Sequence, residues 1–277
     1  MRYEVLRADC TGPLVRRPTT TGVHVQPTDM RGSVAPGTVV LVTGGARGIG
    51  AELSRYLAAQ GAAVVAADLV EAVGDAGDPD VTHVQADVSD ETSWRQLVTT
   101  VLDRHGRIDA LVNNAAIYQG LGAKRPFTDI TVDEWDRVMA VNTRGVWLGM
   151  RAVHPVMKAQ GGGRVVNIAS STVHSGVPYF AHYTASKGAV IALTRSVARE
   201  VGRDGITVNA VAPGLVETDA TRALNDDDYL ASAAGHRAVP RPMEPGDLAP
   251  VVSFLCSSGS GFITGQTVIV DGGVTFS

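Results

Sequence analysis

The chain has 277 residues, of which 44% are hydrophobic and only 5% aromatic, and its formal net charge is −4. This length fits one large α/β domain or two small ones, and the negative balance gives no reason to expect nucleic acid or an anionic membrane as a partner. The two cysteines, Cys10 and Cys256, form neither a disulfide framework nor a metal cluster, and no apolar run has the length of a membrane span. We therefore expect a cytoplasmic protein without a metal site.

Residues 1–36 differ in composition from the rest of the chain. They are rich in Thr, Pro and Gly, hold five arginines against three acidic residues, and show no sustained hydrophobic period. No apolar core follows the first arginines, so the segment is not a secretory signal. We expect an N-terminal arm that is flexible or packs on a neighbouring subunit. A translation start at Met30 is the alternative, because an ordered pattern begins soon after it.

A phosphate-binding turn is predicted where the regular pattern begins. The run Thr38 to Thr43 is apolar and β-branched, as in a strand buried on both faces, and it leads directly into a glycine-rich segment, residues 44–50. A helix pattern follows and ends near Gly61. Glycines let the backbone approach a diphosphate, whose charge is met by the free N–H groups of the helix N-terminus. The spacing is G-x-x-x-G-x-G rather than G-x-G-x-x-G, yet the strand and helix context favours a dinucleotide site over a plain glycine turn.

Asp68 is the candidate for selecting the dinucleotide. It ends the second predicted strand, Ala62 to Ala67, where a carboxylate accepts hydrogen bonds from an adenosine ribose and repels a 2′-phosphate. This position favours NAD over NADP. Arg47 points the other way, because a guanidinium attracts that phosphate, and a helix cap is the alternative role of Asp68.

Two further predicted strands end in polar residues. The third, Val81 to Ala86, closes with Asp87 and Val88 near the expected place of an adenine, and a helix pattern follows over residues 90–105. The fourth, residues 108–112, ends in Asn113-Asn114-Ala115-Ala116. Its amides can tie strand ends together, and its small side chains leave room for a cofactor backbone. A plain turn is the alternative reading.

A long helix is predicted from Thr131, with Asn142 in its middle and Pro155 kinking or ending it. The fifth strand, residues 163–169, follows. Ser170 stands at its carboxyl end, where open α/β sheets bind ligands. Ser171 is the alternative, but strand alternation sends the two hydroxyls to opposite faces, and a spacing of thirteen residues to Tyr183 favours Ser170.

Tyr183 and Lys187 stand at positions i and i+4 of a helix predicted from about Tyr183 to Gly202, so both lie on one face. A phenol has a pKa of about 10, and a nearby ammonium favours the phenolate. We expect the pair to give Tyr183 a lowered pKa and a role as proton donor and acceptor beside a nicotinamide ribose. Surface helices carry such a pair by chance, so this spacing has weight only with the other motifs.

The last part of the chain completes an alternating pattern. A sixth strand over residues 206–211 is followed by Pro213 and Gly214, and residues 215–241 lack a strand pattern, which is typical of a substrate lid. Within this lid the acidic run 225–228 is predicted to cap a helix rather than bind a cation. A helix over 244–256 and a seventh strand over 267–270 end the chain. The alternation predicts a single domain, residues 37–277, built on a parallel sheet with helices on both faces.

Together these motifs resemble the classical short-chain dehydrogenase/reductases over about residues 37–273. The resemblance is carried by Thr43-Gly44-x-x-x-Gly48-Ile49-Gly50, Asp87-Val88, Asn113-Asn114-Ala115-Ala116, Asn142, Ser170, Tyr183-x-x-x-Lys187 and Pro213-Gly214. One departure is Ala116, where the family usually has glycine. The resemblance implies a single Rossmann-type, doubly wound, seven-stranded parallel sheet in the order 3-2-1-4-5-6-7.

The resemblance also implies roles. Tyr183 would be the acid/base, Lys187 would assist it and hold the ribose, Ser170 would bind the substrate oxygen, and Asn142 would position a water that links Lys187 to solvent. The same resemblance implies a set of cofactor-binding residues, shared in part with the catalytic ones: Gly44, Arg47, Gly48, Ile49, Gly50, Asp68, Asp87, Val88, Asn114, Ala115, Tyr183, Lys187, Pro213, Gly214, Val216 and Thr218.

The substrate is less defined by the sequence. Tyr118, His174, Tyr179 and Leu215 lie on loops expected at the pocket rim, and no arginine cluster on these loops aims at an anion, so a neutral secondary alcohol or ketone is favoured. We predict an NAD-dependent oxidoreductase that interconverts the two. The alternatives are an NADPH-dependent 3-oxoacyl-carrier-protein reductase and a non-catalytic dinucleotide-binding subunit. The resemblance further implies a homotetramer, formed through the helices from Thr131 and Tyr183 and through residues 265–273.

Overall fold

A computed structural model describes residues 32–70, 80–118, 121 and 124–276. Within this part of the chain, one parallel sheet has the strand order β3-β2-β1-β4-β5-β6-β7. The strands are β1 Val39–Thr43, β2 Ala63–Asp68, β3 Val81–Gln85, β4 Ala110–Asn113, β5 Gly163–Ile168, β6 Ile206–Pro213 and β7 Thr267–Val270. The predicted Rossmann-type sheet is confirmed.

Helices cover both faces of this sheet. They are α1 Gly48–Ala58, α2 Glu91–His105, α3 Val132–Met139, α4 Gly145–Ala159, α5 Thr172–Ser175, α6 Ala181–Val201, α7 Asp219–Arg222, α8 Asp227–Gly235 and α9 Ala249–Cys256. Alternate residues of β1 enter different cores: Val40 and Val42 pack with α1 and α9, whereas Val39 and Leu41 pack with α2, α4 and α6. Burial on both faces explains why the strands are continuous apolar runs.

Val34, in the segment predicted to be an arm, packs on the domain. It is buried against α9, and its N–H donates to the Ser253 hydroxyl at 3.4 Å. The division into an arm over residues 1–36 and a domain from residue 37 stays a prediction. Residues 1–31, with the alternative start at Met30, lie outside the described residues.

The predicted long helix from Thr131 has two parts joined by a π-helical segment, Ala140–Arg144, with Asn142 at its centre. Such a segment adds a residue to the turn and is often found at functional sites. Pro155 neither ends nor interrupts α4, which continues to Ala159. The prediction of a helix end at Pro155 is wrong.

Three other segments add detail to the predicted pattern. Residues 172–182 contain the short helix α5, the predicted lid contains α7 and α8, and α9 begins at Ala249 after a 3-10 turn, Pro245–Asp247. In the described ranges, no helix is long and apolar enough to cross a membrane, and no group of three or more His, Cys, Asp or Glu side chains could hold a metal ion.

Candidate active site

A cavity of about 1220 Å³ opens at the carboxyl ends of the strands. In open α/β sheets ligands bind at this edge, where the strand order reverses, here between β1 and β4. All sixteen predicted cofactor residues line the cavity: Gly44, Arg47, Gly48, Ile49, Gly50, Asp68, Asp87, Val88, Asn114, Ala115, Tyr183, Lys187, Pro213, Gly214, Val216 and Thr218.

The glycine turn between β1 and α1 fits a diphosphate. Gly44 and Gly48 have left-handed backbones, with φ of 66° and 56°. A Cβ at Gly50 would collide with the Gly44 carbonyl, so the turn closes only with glycine there. At Gly48 a Cβ would meet nothing closer than the Thr218 methyl group at 3.8 Å. This open space beside a helix N-terminus is where the backbone N–H groups can reach a phosphate.

Asp68 and Arg47, the two residues that argue for different dinucleotides, both line the cavity. One Asp68 oxygen, Oδ2, accepts the N–H of Ala46 at 3.0 Å, which ties the end of β2 to the glycine turn. The Arg47 side chain is exposed. Since a carboxylate and a guanidinium share this end of the cavity, the preference for NAD stays a prediction.

Backbone contacts of asparagine hold the next strand end in place. The Asn114 amide donates to the carbonyls of Thr43 at 2.9 Å and Gly44 at 3.1 Å. Asp87 accepts the N–H and hydroxyl of Ser89 at 2.8 and 2.7 Å. The Asn114 amide thus joins the end of β4 to the end of β1, which is the kind of link predicted for residues 113–116. Asp87 fixes the turn after β3.

Tyr183, Ser170 and Lys187 meet at the base of the cavity. All three residues are buried and line the cavity, and the Ser170 hydroxyl oxygen accepts hydrogen bonds from the Thr172 N–H at 3.3 Å and the Thr172 hydroxyl at 3.0 Å. The Lys187 ammonium lies 5.8 Å from the Tyr183 ring centroid and donates to the Ile168 carbonyl at 2.7 Å. Helix α6 produces this arrangement because residues four apart share one face.

The expected lowering of the Tyr183 pKa by Lys187 is wrong in this structure. Burial, and secondarily the neighbouring Tyr118, raises the pKa of Tyr183 well above its ordinary value, while the nearby Ser170 hydroxyl acts in the opposite direction. Burial also lowers the pKa of Lys187 to about 8. Removal of both groups from water disfavours both charged forms. The ammonium also donates its hydrogen bond to the Ile168 carbonyl rather than to the phenol.

Asn142 does not line the cavity but links two of its walls. Its side-chain oxygen accepts the Ile117 N–H at 2.7 Å, and its amide donates to the Ile117 carbonyl at 3.2 Å and the Ser186 hydroxyl at 3.1 Å. The segment after β4 is thereby fixed to α6. The predicted water between Asn142 and Lys187 stays a prediction.

Of the four predicted substrate residues, Tyr118 and Leu215 line the cavity, and His174 and Tyr179 do not. Helix α5 turns His174 to the exterior. Tyr179 has a left-handed backbone with φ of 63°, and its ring is 58% exposed. Contact of His174 and Tyr179 with a substrate stays a prediction. Side-chain directions in a loop depend on local turns, which have no period in the sequence.

An aromatic cluster not predicted from the sequence surrounds the phenol. The Tyr118 ring lies edge-on to Tyr183 and Phe180, with centroid separations of 5.4 and 5.5 Å. Phe180 also lines the cavity. The signal for it was present, since Phe180 precedes Tyr183 by three residues and one helical turn brings such positions together.

Arg237 is a second residue that sequence reasoning missed. Its buried guanidinium donates to the carbonyls of Arg241 at 2.5 Å and Leu215 at 2.7 Å, and burial lowers its pKa. These bonds join both ends of the predicted lid. The sequence carries no signal for it, because residues 215–241 lack a hydrophobic period.

The lid begins and ends its helices with local caps. Thr218 and Thr221 form a reciprocal capping box on α7, and Asp226 accepts the Tyr229 N–H at 2.8 Å to cap α8. The acidic run 225–228 therefore supplies a helix cap, as predicted. Residues of both lid helices line the cavity.

A glycine turn at the switch point of a Rossmann-type sheet, with a serine, tyrosine and lysine beneath it, defines a nicotinamide-dinucleotide-dependent oxidoreductase. Residues 44–275 match a family model described as enoyl-(acyl carrier protein) reductase. The chain belongs to the short-chain dehydrogenase/reductase family and acts on CH–OH groups as an NAD(P)-dependent enzyme.

Three relatives illustrate this membership. A 3-alpha-(or 20-beta)-hydroxysteroid dehydrogenase of Mycobacterium tuberculosis is 38% identical over 241 residues, which cover 86% of this chain and 89% of that protein. A 3-oxoacyl-[acyl-carrier-protein] reductase of Synechocystis is 39% identical over 245 residues, covering 85% and 96%. A cyclopentanol dehydrogenase of Comamonas is 37% identical over 245 residues, covering 86% and 96%.

Proposed function

We propose that the protein is an NAD-dependent oxidoreductase that interconverts a secondary alcohol and a ketone. The observation that carries this proposal is that Ser170, Tyr183 and Lys187 are all buried in the lining of one cavity, with Lys187 one helical turn from Tyr183. The two relatives named as dehydrogenases of hydroxysteroids and of cyclopentanol support an alcohol as the substrate.

The chain's own residues handle the proton and the substrate oxygen. Nicotinamide dinucleotide, when bound, accepts or supplies the hydride, and its oxidised ring carries a positive charge. Ser170 and Tyr183 together hold the substrate oxygen, and Tyr183 takes its proton in oxidation or returns it in reduction. Lys187 is placed to bind the ribose, and the aromatic rings of Tyr118 and Phe180 exclude water from the phenol.

The raised pKa of Tyr183 agrees with this mechanism. Burial in a medium of low dielectric constant disfavours the phenolate of Tyr183. The phenol therefore stays protonated and can donate its proton in the reduction direction. Near the positive charge of an oxidised cofactor, Tyr183 would form its phenolate more readily, which would assist the oxidation direction. The proton equilibrium of Tyr183 therefore depends on the redox state of the cofactor.

The preference for NAD is supported by Asp68. Its carboxylate closes β2 at the cavity wall, and a 2′-phosphate at that place would meet a negative charge. Its Oδ2 accepts the Ala46 N–H at 3.0 Å. Its Oδ1 accepts only a long bond from the Val70 N–H, at 3.4 Å, and a carboxylate oxygen can accept a ribose hydroxyl in addition.

A panel of secondary alcohols, followed through the absorbance of reduced nicotinamide with NAD and separately with NADP, tests the proposal. We expect turnover with NAD at least tenfold above that with NADP. Tyr183→Phe should bind NADH with near-normal affinity and lose at least a hundredfold in kcat, because only the proton transfer is removed. Turnover retained in Tyr183→Phe would place the acid/base elsewhere.

A second candidate is an NADPH-dependent 3-oxoacyl-carrier-protein reductase. It is favoured by Arg47, which lines the same end of the cavity as Asp68, and by the Synechocystis relative of that name. A strong NADPH preference in the same assay, with acetoacetyl thioesters reduced faster than any ketone of the panel, would replace the first proposal.

We infer, finally, that the enzyme assembles as a homotetramer. The family resemblance implies pairing through the helix from Thr131, which is α3 and α4 here, through α6, and through residues 265–273. Apolar side chains are exposed along α3 and α4, among them Val132, Trp135 and Trp147. Exposed large apolar residues that cluster on one element are typical of an interface.

A further inference from the structure

One cation in the cavity lining, Lys124, lies against the lid, where it contacts Asn225 and Tyr229. We define a lid-side wall by Tyr118, Lys124, Arg137, Phe180, Tyr229 and His236, all of which line the cavity. The acidic lining residues of the cavity are Asp68 at the end of β2, Asp87 after β3 and Asp219 at the start of the lid helix α7.

Lys124 is the most enclosed basic side chain on the lid-side wall, since Arg137 and His236 are exposed. Its ammonium donates to the Asn225 side-chain oxygen at 3.2 Å and lies 4.2 Å from the centroid of the Tyr229 ring. No carboxylate of the described residues forms an ion pair with it. An ammonium has three N–H donors, so this half-buried charge retains donors for a further acceptor.

A continuous line of contacts connects Lys124 to the reacting centre. The Tyr118 ring lies 5.4 Å from the Tyr183 ring. Burial raises the pKa of the Tyr118 phenol, and the neighbouring Asn225 side chain acts in the opposite direction. The oxygen of that same Asn225 accepts a hydrogen bond from Lys124, so Asn225 and Tyr118 are the neighbours that link the ammonium to Tyr183.

We propose that the alcohol oxidised by this enzyme carries a carboxylate, which binds Lys124 while its carbinol lies at Ser170 and Tyr183. This inference rests on the proposed function. The hydrocarbon between the two ends would pack on the Tyr118 ring, and the carboxylate would accept the free donors of the ammonium in a charge-assisted hydrogen bond. Arg137 is exposed and strengthens the positive potential without being enclosed. The sequence had favoured a neutral substrate because no arginine cluster stands on the loops expected at the pocket rim.

Matched substrates separate the carboxylate from the alcohol. Medium-chain fatty acids hydroxylated at the penultimate carbon are compared with their own methyl esters, which differ only in the charge. We expect the wild-type enzyme to prefer the acid in kcat/KM, mainly through KM. In Lys124→Met the acid-to-ester ratio should fall about 10- to 100-fold, the size of a lost hydrogen bond to a charged group. Lys124→Arg should restore most of the ratio.

Lys158→Met is the matched control, because Lys158 is exposed on α4, pairs with Asp204 at 3.2 Å and does not line the cavity. It should leave the ratio unchanged. Calorimetry with octanoate and the NADH complex gives a second readout without turnover, and Lys124→Met should weaken that binding by a similar factor.

The outcomes distinguish the two proposals. Equal use of acid and ester by the wild type, or an equal loss of both in Lys124→Met, overturns the carboxylate site and leaves the dehydrogenase function intact. If the enzyme oxidises other secondary alcohols but neither the acid nor the ester of any pair, the carboxylate site is likewise overturned and the dehydrogenase function stands. Failure of every alcohol with NAD and NADP overturns the dehydrogenase function, and octanoate binding then decides the site separately.

Discussion

Two ionisable groups one helical turn apart, the Tyr183 phenol and the Lys187 ammonium, are both buried, and burial disfavours the charge on each. Proximity in sequence was expected to lower the phenol pKa. The loss of water outweighs it, because the ammonium lies 5.8 Å from the ring centroid and bonds to Ile168. The charge states of Tyr183 and Lys187 therefore depend more on what binds next to them than on the contact between the two side chains.

The lowered pKa of Lys187 has a consequence for stability. The value falls from 10.5 to about 8 on folding, so between these pH values the unfolded chain binds more protons than the folded one. Stability should then rise with pH in this window, by up to ~1.4 kcal/mol for each pH unit. The raised pKa of Tyr183 acts with the opposite sign above about pH 10, so the comparison belongs between pH 8 and 10.

Urea unfolding of the cofactor-free protein at several pH values measures this effect. The reference is Lys187→Met, which removes the titrating group and keeps an unbranched apolar chain. We expect the difference in unfolding free energy between wild type and Lys187→Met to shift in favour of the wild type as the pH rises. A difference that is constant across the window would show that the ammonium is not penalised by burial.

At the scale of elements, the turn between β1 and α1 depends on glycines for two different reasons. Gly44 and Gly48 need a left-handed backbone, whereas Gly50 needs an empty Cβ position because the Gly44 carbonyl occupies it. The turn and the first turn of α1 are consequently one packed unit. A side chain at Gly50 must push the phosphate-binding backbone away from α1.

Gly50→Ala tests this coupling. We expect a loss of at least tenfold in NADH affinity, measured by fluorescence titration, and a decrease of about 1–3 kcal/mol in unfolding free energy from overpacking. Gly202→Ala is the matched control, since Gly202 has no atoms within 4 Å of an added Cβ and no left-handed backbone. NADH affinity that is unchanged in Gly50→Ala would mean that the turn can shift without moving the phosphate site.

The π-helical segment between α3 and α4 positions a side chain that holds the cavity walls together. Its extra residue places Asn142 toward the chain after β4, where the amide binds both backbone groups of Ile117, and toward α6, where it reaches Ser186. One fully buried side chain thus connects three elements around the cavity. The poor helix propensity of asparagine is offset by these bonds.

At the scale of the whole molecule, the two cores bury both faces of the sheet but leave apolar side chains on the outside of α3 and α4. Trp147 is 42% exposed, and the Arg151 guanidinium lies 5.3 Å from its ring. In the proposed tetramer this face would be covered by the same helices of another subunit.

Sedimentation velocity of Trp147→Glu tests the assembly. We expect the wild type to sediment as a tetramer and the variant to dissociate into smaller species, because a charge buried without a partner in an interface is costly. Thr99→Glu, an exposed position on α2, serves as the control and should remain assembled. A wild-type monomer at micromolar concentration would contradict the tetramer.

The sequence by itself determined the sheet, the glycine turn and the positions of Ser170, Tyr183 and Lys187, because these depend on local periods and on residue types whose backbone demands are strong. The predicted ends of helices agreed with the structure where a capping residue or a glycine marks them, as at Asp90, which caps α2. Helix α4 ran past Pro155, since a local rule gives way when packing on both sides holds the helix.

Only the tertiary structure decided which loop side chains enter the cavity and how charges behave there. Tyr118 enters and Tyr179 does not, and Lys124 meets Asn225 and Tyr229 from a hundred residues away in the chain. The pKa of Tyr183 rises rather than falls for the same reason. Solvation and contact between distant segments are properties of the packed molecule, and no period or spacing along the chain encodes them.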